Sequence, residues 1–418
     1  MMMMTDFLFI VKSLIVGVTV VSLVVSLVLG RALLNYIARS LWTRKWTTIL
    51  TLGGVSLVVF VFAAVLMLAH GVEQTMIESG SDENVIALRR AANSELVSQI
   101  DRDAANILAT QPEVALTADG KPVATTEAYT VINLHKTGSN DMGNVSVRGV
   151  TAQAFQLRPQ VKLLAGTMFR FGTREIVVGS NIASRFTGCE IGKQLKFGDD
   201  QWTIVGHFEA DGSAFESEIW GDADQLMPAF GRPVFSSMTV KLNNAGSFDA
   251  LKKRVEADPR TQYLELKIER TYYREQSQMM ADFIYALGLI ITFIFSIGAV
   301  IGAMITMFGA IANRTVEIGT LRSLGFRRRN ILAAFLVESV FLAVIGGIIG
   351  IVLALGISFV RISTVNFSTF SELAFGFTMS PSIIFWTMVF SIGMGVLGGF
   401  FPAIRAARLN IVNALRSS

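Results

Sequence analysis

The sequence predicts an α-helical membrane protein with a large α+β extracytoplasmic domain between its second and third predicted spans. Three observations carry this. The 418 residues are 52% hydrophobic and 16% charged, with a mean hydropathy of +0.52, whereas a soluble domain carries about 25% charge. Five stretches reach the ~20 apolar residues that a spanning helix requires. Charge is also unevenly spread: residues 71–280 hold 27 acids against 22 bases, a net of −5, which leaves +9 for the rest of a +4 chain. A soluble enzyme, a disordered chain and a nucleic-acid binder all fit this balance badly.

Residues 1–30 form the first candidate helix, apolar from 7 to 29 apart from Lys12. A signal peptide is the competing reading. No small-x-small cleavage site follows Leu29, and the bases lie after the apolar run rather than before it. Residues 47–70 are the second span, 281–312 the third, 331–360 the fourth and 382–404 the fifth. Connector 31–46 holds Arg31, Arg39, Arg44 and Lys45 with no acid. Connector 313–330 holds five arginines against Glu317, and tail 405–418 holds Arg405, Arg408 and Arg416. Connector 361–381 holds only Arg361 and Glu372. The positive-inside rule puts the first three in the cytoplasm and the last outside, and 71–280 must then lie outside too.

Residues 71–280 are long enough for a core of their own. Residues 94–109 read as an amphipathic helix. Short alternating or β-branched runs follow at 130–134, 144–150, 175–178, 201–205 and 238–242, punctuated by Gly and Asp turns. Residues 181–186 and 247–257 read as helices. Segment 265–282 carries helix formers into the third span and reads as a stalk.

Catalytic signatures are missing. No G-x-x-x-x-G-K-[ST] occurs, since Lys121 is followed by Pro122 and Lys193 by Gln194. This chain is therefore not expected to hydrolyse ATP. His70, His135 and His207 are scattered, and the single Cys189 allows neither an intrachain disulfide nor a cysteine metal cluster. No metal site is expected, and no catalytic residue.

Three features stand out. Gly298 and Gly302, Gly346 and Gly350, and Gly395 and Gly399 each place small residues one turn apart in apolar helices. Such faces permit close helix packing, within the chain or between two copies. Glu338 is an ionisable group inside a span, expensive to bury; it could pair with an arginine such as Arg405, gate, or serve a proton or substrate path. Connector 313–330 carries Val316, Ile318, Leu321 and Leu324 on an apolar face, with Gly325 placed as a helix C-cap. It reads as a basic helix on anionic lipid or as a docking helix for a partner.

At this connector the sequence resembles the MacB/FtsX-type ABC transporter permeases of the separate-ATPase kind. The likeness rests on Tyr272-Tyr-Arg-Glu-Gln-Ser277, on Arg314-Thr-Val-Glu-Ile-Gly-Thr-Leu-Arg-Ser-Leu-Gly325, on Glu338, and on Phe401-Pro-Ala-Ile-Arg-Ala-Ala-Arg-Leu409. Glu175-Ile-Val-Val-Gly179 and Trp202-Thr-Ile-Val-Gly206 resemble the external domain, and Arg44–Gly53 the opening segment. The resemblance implies four spans, so residues 1–30 are an extra N-terminal one. It implies a permease rather than an enzyme, with no cofactor in this chain and with ATP and magnesium in a partner ABC ATPase. It implies mechanotransmission, in which ATP-driven closure moves the stalks and external domains of two permease copies to drive export. Residues 313–330 would be the coupling helix, with Arg314, Glu317 and Arg322 in polar contact, Ile318 and Leu321 on its apolar face, and Gly319 and Gly325 allowing close approach. A periplasmic adaptor, an outer-membrane duct and a place in the bacterial inner membrane follow from the same likeness. Asn410 and Ile411 stand where the family often has Asp-Pro, and Asn413 where it often has Glu. Two other members of the family suggest alternatives: a lipoprotein-releasing permease, and an FtsX-like regulator of cell-wall hydrolases.

Overall fold

The computed structural model describes residues 45–410. The extra N-terminal helix (1–30), residues 31–44 and the tail beyond 410 lie outside the described residues. Two compact units divide the chain.

Among the described residues, the first unit is built on four helices long and apolar enough to cross a membrane: α1 (Lys45–Ile77), a 44-residue helix at Glu269–Ala312, one at Arg328–Gly356 and one at Pro381–Ala407. In hydrocarbon a helix satisfies its own backbone, which is why apolar runs of this length fold so. The last helix opens on Ser380, whose hydroxyl accepts from the Ile383 N–H, with Pro381 at its first position.

The second unit comprises Ala69–Phe283 and Arg361–Gly376. Its elements are β1 (Asn84–Arg89), α2 (Arg102–Ala109), β2 (Ala124–His135), β3 (Met142–Val150), β4 (Lys162–Gly166), β5 (Glu175–Gly179), α3 (Ser180–Arg185), β6 (Gln194–Phe197), β7 (Asp200–Glu209), β8 (Glu218–Asp222), α4 (Ala223–Ala229), β9 (Ser237–Lys241), α5 (Phe248–Ala257) and β10 (Leu264–Ile268). Then follow the long helix α6 (Glu269–Ala312), α7 (Thr315–Ser323), α8 (Arg328–Gly356), β11 (Arg361–Val365), β12 (Glu372–Gly376) and α9 (Pro381–Ala407).

One mixed sheet runs β10-β1-β9-β2-β3-β8-β5-β7-β4, with β6 on β7. Strand β2 is shared between two lobes, pairing β9 through Ala124–Glu127 and β3 through Ala128–His135. Each lobe has its own core. The first packs Val85, Leu108, Val240, Leu251 and Leu266 under α2 and α5. The second packs Val147, Ile176, Trp202, Ile204 and Ile219 against α3 and α4. The glycines of the two external motifs are close-approach points: a Cβ on Gly179 would strike the Glu216 carbonyl, and one on Gly206 would strike the Thr167 carbonyl and lie 2.9 Å from that of Ala165.

Residues 94–109 do not form one helix. Only Arg102–Ala109 is helical, while Ser94, Glu95 and Ser98 are buried in a loop. The cause is charge. Glu95 is drawn inward by Arg148 of β3, which is 1% exposed and uses all five N–H groups. Its Nε donates to Glu218 Oε2 at 2.8 Å, Nη1 to Glu95 Oε1 at 2.6 Å and to Glu127, and Nη2 to Glu95 Oε2 at 3.0 Å and Glu218 Oε1 at 2.9 Å. Arg158 extends the network, with Glu127 at 2.6 Å and Glu269, the first residue of α6, at 3.2 Å. Burial alone would raise the Glu95 carboxyl, but the Arg148 charge and the hydrogen bonds from Arg148 and Ser237 outweigh it and hold the group below its ordinary value. Burial, reinforced by Glu218, pushes the neighbouring Tyr129 phenol up to about 12.

Two outcomes follow. Gly206→Ala should destabilise the sheet unit by about 1–3 kcal/mol, read as a lower melting temperature of the full chain by the near-ultraviolet signal of buried Trp202 and Trp220; an unchanged melt contradicts the close approach. A carboxyl depressed in the fold contributes stability that is present above its unfolded pKa and lost as pH falls through its folded one. The same melt should therefore weaken below about pH 4.5, and Glu95→Gln should weaken the chain at neutral pH and flatten the acid limb. An acid limb as steep as that of the parent would show that Glu95 does not supply it.

Candidate functional site

Helix α7 is nine residues long, too short to hold itself in place. It is fixed from both ends. Arg314, just before it, is 10% exposed; its Nε donates to Glu317 Oε2 at 2.8 Å and its Nη1 to Glu338 Oε2 at 3.2 Å. The guanidinium also lies over the Phe335 ring, 5.4 Å from its centre. The partner of Glu338 is thus Arg314 and not Arg405, which sits over the Phe308 ring instead. The turn between α6 and α7 folds Arg314 back onto α8, and that places it within reach. At the other end, Arg322 Nη1 donates to the carbonyls of Ala407 at 3.3 Å and Leu409 at 3.2 Å, where α9 runs out of helical partners.

Ile318 and Gly319 are buried on α7's inner face. Ile318, with Leu321 packed beside it, joins a core of Met307, Ile311, Ile331, Phe335, Ala403, Ala406 and Ala407. Gly325 ends the helix at φ +95°: its N–H bonds the Arg322 carbonyl and the Phe326 N–H bonds that of Leu321, a complete Schellman cap. This cap turns Leu324 and Phe326 outward, 72% and 48% exposed, beside Val316 at 40%. Five of the seven residues predicted for this site, Arg314, Ile318, Gly319, Leu321 and Arg322, therefore face inward and brace the helix. Glu317 is half exposed at its start, and Gly325 is exposed at its end. The single apolar face expected of Val316, Ile318, Leu321 and Leu324 is therefore split: Ile318 and Leu321 enter the core, and Val316 and Leu324 point outward with Phe326, which the expected site lacks. Apolar residues on both sides of a capping glycine were the signal for the last two.

The glycine pairs divide. A Cβ on Gly346 would fall on Val55 at 2.9 Å, and one on Gly350 on the Ser56 carbonyl at 2.8 Å, so α8 lies close against α1. Gly395 and Gly399 meet Ala343 and Ser339, and Ser391 Oγ donates to the Ala343 carbonyl at 2.6 Å, which brings α9 against α8. Among the described residues, Gly298 and Gly302 on α6 have no atom beyond their own stretch of helix within 4 Å of an added Cβ. In the sheet unit, His207 Nε2 lies 2.7 Å from the Cys189 carbonyl, and burial, then Glu190, pushes the Cys189 thiol up to about 11, away from thiolate chemistry.

Glu338 is 7% exposed and Glu317 41%, so their removal should differ. Glu338→Leu leaves Arg314 half-paired in the interior and should cost about 3–5 kcal/mol, whereas Glu317→Gln should cost less than about 1 kcal/mol. Thermal melts in detergent check this, and the exchange Arg314→Glu with Glu338→Arg should recover part of the loss. Equal effects of the two single changes would mean that the buried pair does not brace α7.

Comparison with known proteins agrees with this architecture. The family described as MacB-like periplasmic core domain matches residues 48–258, and that described as FtsX-like permease C-terminal matches residues 289–411. The macrolide export ATP-binding/permease protein MacB of Neisseria gonorrhoeae is 26% identical over 398 residues, covering 89% of this chain and 58% of its own length. That of Hahella chejuensis is 26% identical over 404 residues, with the same coverages. The chain thus spans less than two thirds of the length of these relatives. Among solved structures, the periplasmic region of MacB from Actinobacillus actinomycetemcomitans matches 47% of this chain and 92% of its own, at 14% identity and a TM-score of 0.36. The extracellular domain of the ABC-type transporter YknZ from Gram-positive bacteria matches 44% and 99%, at 14% identity and a TM-score of 0.34. With one family spanning half of the chain and the other the helices that follow the sheet, this multi-pass membrane protein belongs to the MacB/FtsX-type permeases.

Proposed function

We propose that this chain is the transmembrane subunit of a MacB-like ABC export system, converting ATP hydrolysis by a partner ATPase into movement of the extracytoplasmic sheet unit. The observation that carries this reading is the construction of α7. Its inward residues are committed to α8 and α9 through Arg314 and Arg322, while Val316, Leu324 and Phe326 are held outward on a rigid cap. An apolar knob fixed to two membrane helices is suited to sit in a groove of a nucleotide-driven partner and pass its displacement on. Arg327, Arg328 and Arg329 follow the knob and are exposed, which supports a cytoplasmic position by the positive-inside rule and a bacterial inner-membrane location. ATP and magnesium belong to the partner in this reading. The Gly298–Gly302 face of α6, open among the described residues, together with exposed Ile294, Ile297 and Ile301, supports a second copy as neighbour. Export is the reading that the names of the MacB relatives favour, and an adaptor with an outer-membrane duct is proposed from the family resemblance alone.

The test is purification of the tagged chain from its native membranes in mild detergent, with native mass measurement. Two copies with an ABC ATPase are expected. The double change Leu324→Glu, Phe326→Glu should lose the ATPase at least tenfold while melting like the parent. Recovery of the chain without any ATPase overturns the proposal, and full retention by the double variant removes α7's knob from the docking surface.

A further inference from the structure

The 16 residues Arg361–Gly376 belong to the sheet unit, although the chain on both sides of them belongs to the helical one. They read as a short connector in the sequence. Strands β11 and β12 pair antiparallel from Arg361↔Gly376 to Val365↔Glu372. Val360 alone separates β11 from the 3₁₀ turn that ends α8, and four residues separate β12 from α9.

The hairpin is held to the second lobe at several points. Arg361 Nη1 reaches Glu216 Oε2 at 3.2 Å and Asn181 Oδ1 at 3.3 Å. Glu372, 9% exposed, pairs with Lys136 at the end of the lobe's first hairpin. Arg185 of α3 donates to Ser363, Asn144 Nδ2 to the Phe370 carbonyl at 2.8 Å, and the Ala374 N–H to Ser217 Oγ at 3.1 Å. Leu373, Ala374 and Phe375 are buried. The fit is close: a Cβ on Gly143 would lie 2.8 Å from Glu372 Oε1 and 2.9 Å from Lys136 Cε. Glu216 is a fixed seat, since the N–H groups of Ala210 and Gly212 hold its other oxygen at 3.1 and 2.7 Å. A passive connector needs no such anchorage.

We infer that the β11–β12 hairpin is a second drive link, which carries movement of α8 and α9 to the second lobe, and that Arg361, Glu216, Lys136 and Glu372 are its positioning residues. The inference rests on the proposed function. Its reasoning is mechanical: α8 and α9 are the two helices to which Arg314 and Arg322 brace α7, and the hairpin is the segment that joins their far ends. Apart from α1, which runs from the helical unit into the sheet unit at Ala69, two covalent routes then carry displacement of α7 to the sheet unit. One is α6, whose first residue Glu269 is tied to Arg158. The other is the hairpin, which grips the second lobe at these points and also touches the helices that enter the sheet unit, with Phe367 against Phe283 of α6 and Asn366 beside Met76 of α1.

The experiment uses the full chain in complex with its co-purifying ATPase, in lipid nanodiscs, with Cys189→Ala and nitroxide labels at Leu116→Cys in the first lobe and Ile191→Cys in the second, both exposed positions. The parent should show an ATP-dependent change in the interlabel distance. Lys136→Glu, and separately Arg361→Gln, should reduce that change by more than half while ATP hydrolysis and melting persist. Lys136→Glu with Glu372→Lys should restore it. A change as large in both single variants as in the parent overturns the drive link, and so does failure of the exchanged pair to restore what Lys136→Glu removed. No ATP-dependent change in the parent overturns the link, since the second lobe then does not move against the first, whereas absence of a co-purifying ATPase overturns the proposed function.

Discussion

One buried guanidinium organises the external half of this molecule. Arg148 projects from β3 and meets Glu95 from a loop, Glu127 from β2 and Glu218 from β8, with every N–H donor used. A guanidinium is a planar fork with fixed donor directions, so three carboxylates can satisfy it only from defined positions. Arg158 shares Glu127 and passes the tie to Glu269 at the head of α6. The loop at 94–101, the register of the central strands and the seat of the stalk helix all answer to these two side chains. A buried ion pair adds little net stability over a well-packed apolar core, yet loss of one partner is costly. Its role here is to permit one arrangement of the segments.

The helical unit uses the opposite device. Where Arg148 draws segments together by charge, Gly346, Gly350, Gly395 and Gly399 do so by offering no side chain, which lets α1, α8 and α9 approach to backbone contact. Without a hydrophobic drive between helices in lipid, dispersion and short hydrogen bonds such as Ser391 to Ala343 supply the attraction. Charge enters this unit at Arg314 and Glu338, where it sets the position of a surface element.

These devices divide labour on α7. Arg314, Ile318 and Arg322 of the family motif brace the helix, while Val316 and Leu324 of the same motif, with Phe326 beyond it, form the surface. A motif in such a segment marks a joint as much as a contact. The same logic applies to the β11–β12 hairpin, whose ionic anchors hold a connector that composition alone leaves featureless.

Much was legible without coordinates because it depends on neighbours in the chain. The long apolar runs, the stalk leading into the third, the strands at 144–150 and 175–178 and the cap at Gly325 are set by local hydropathy, β-branching and the φ angle that glycine allows. The α+β character of the external block was likewise readable from the alternation of short strands and helices. The partners of buried charges were not. Glu218 is 70 residues from Arg148, and Glu269 is 111 from Arg158. Glu338 takes the nearby Arg314 over Arg405 because a turn folds back, which hydropathy does not encode. Helix pattern in residues 94–101 yielded to the attraction of Arg148 for Glu95. An ionic bond is chosen by proximity in space, and proximity in space is a property of the whole fold. The sequence by itself determined which segments are helix, strand and span, while only the tertiary structure decided which charges meet and so which segments are tied together.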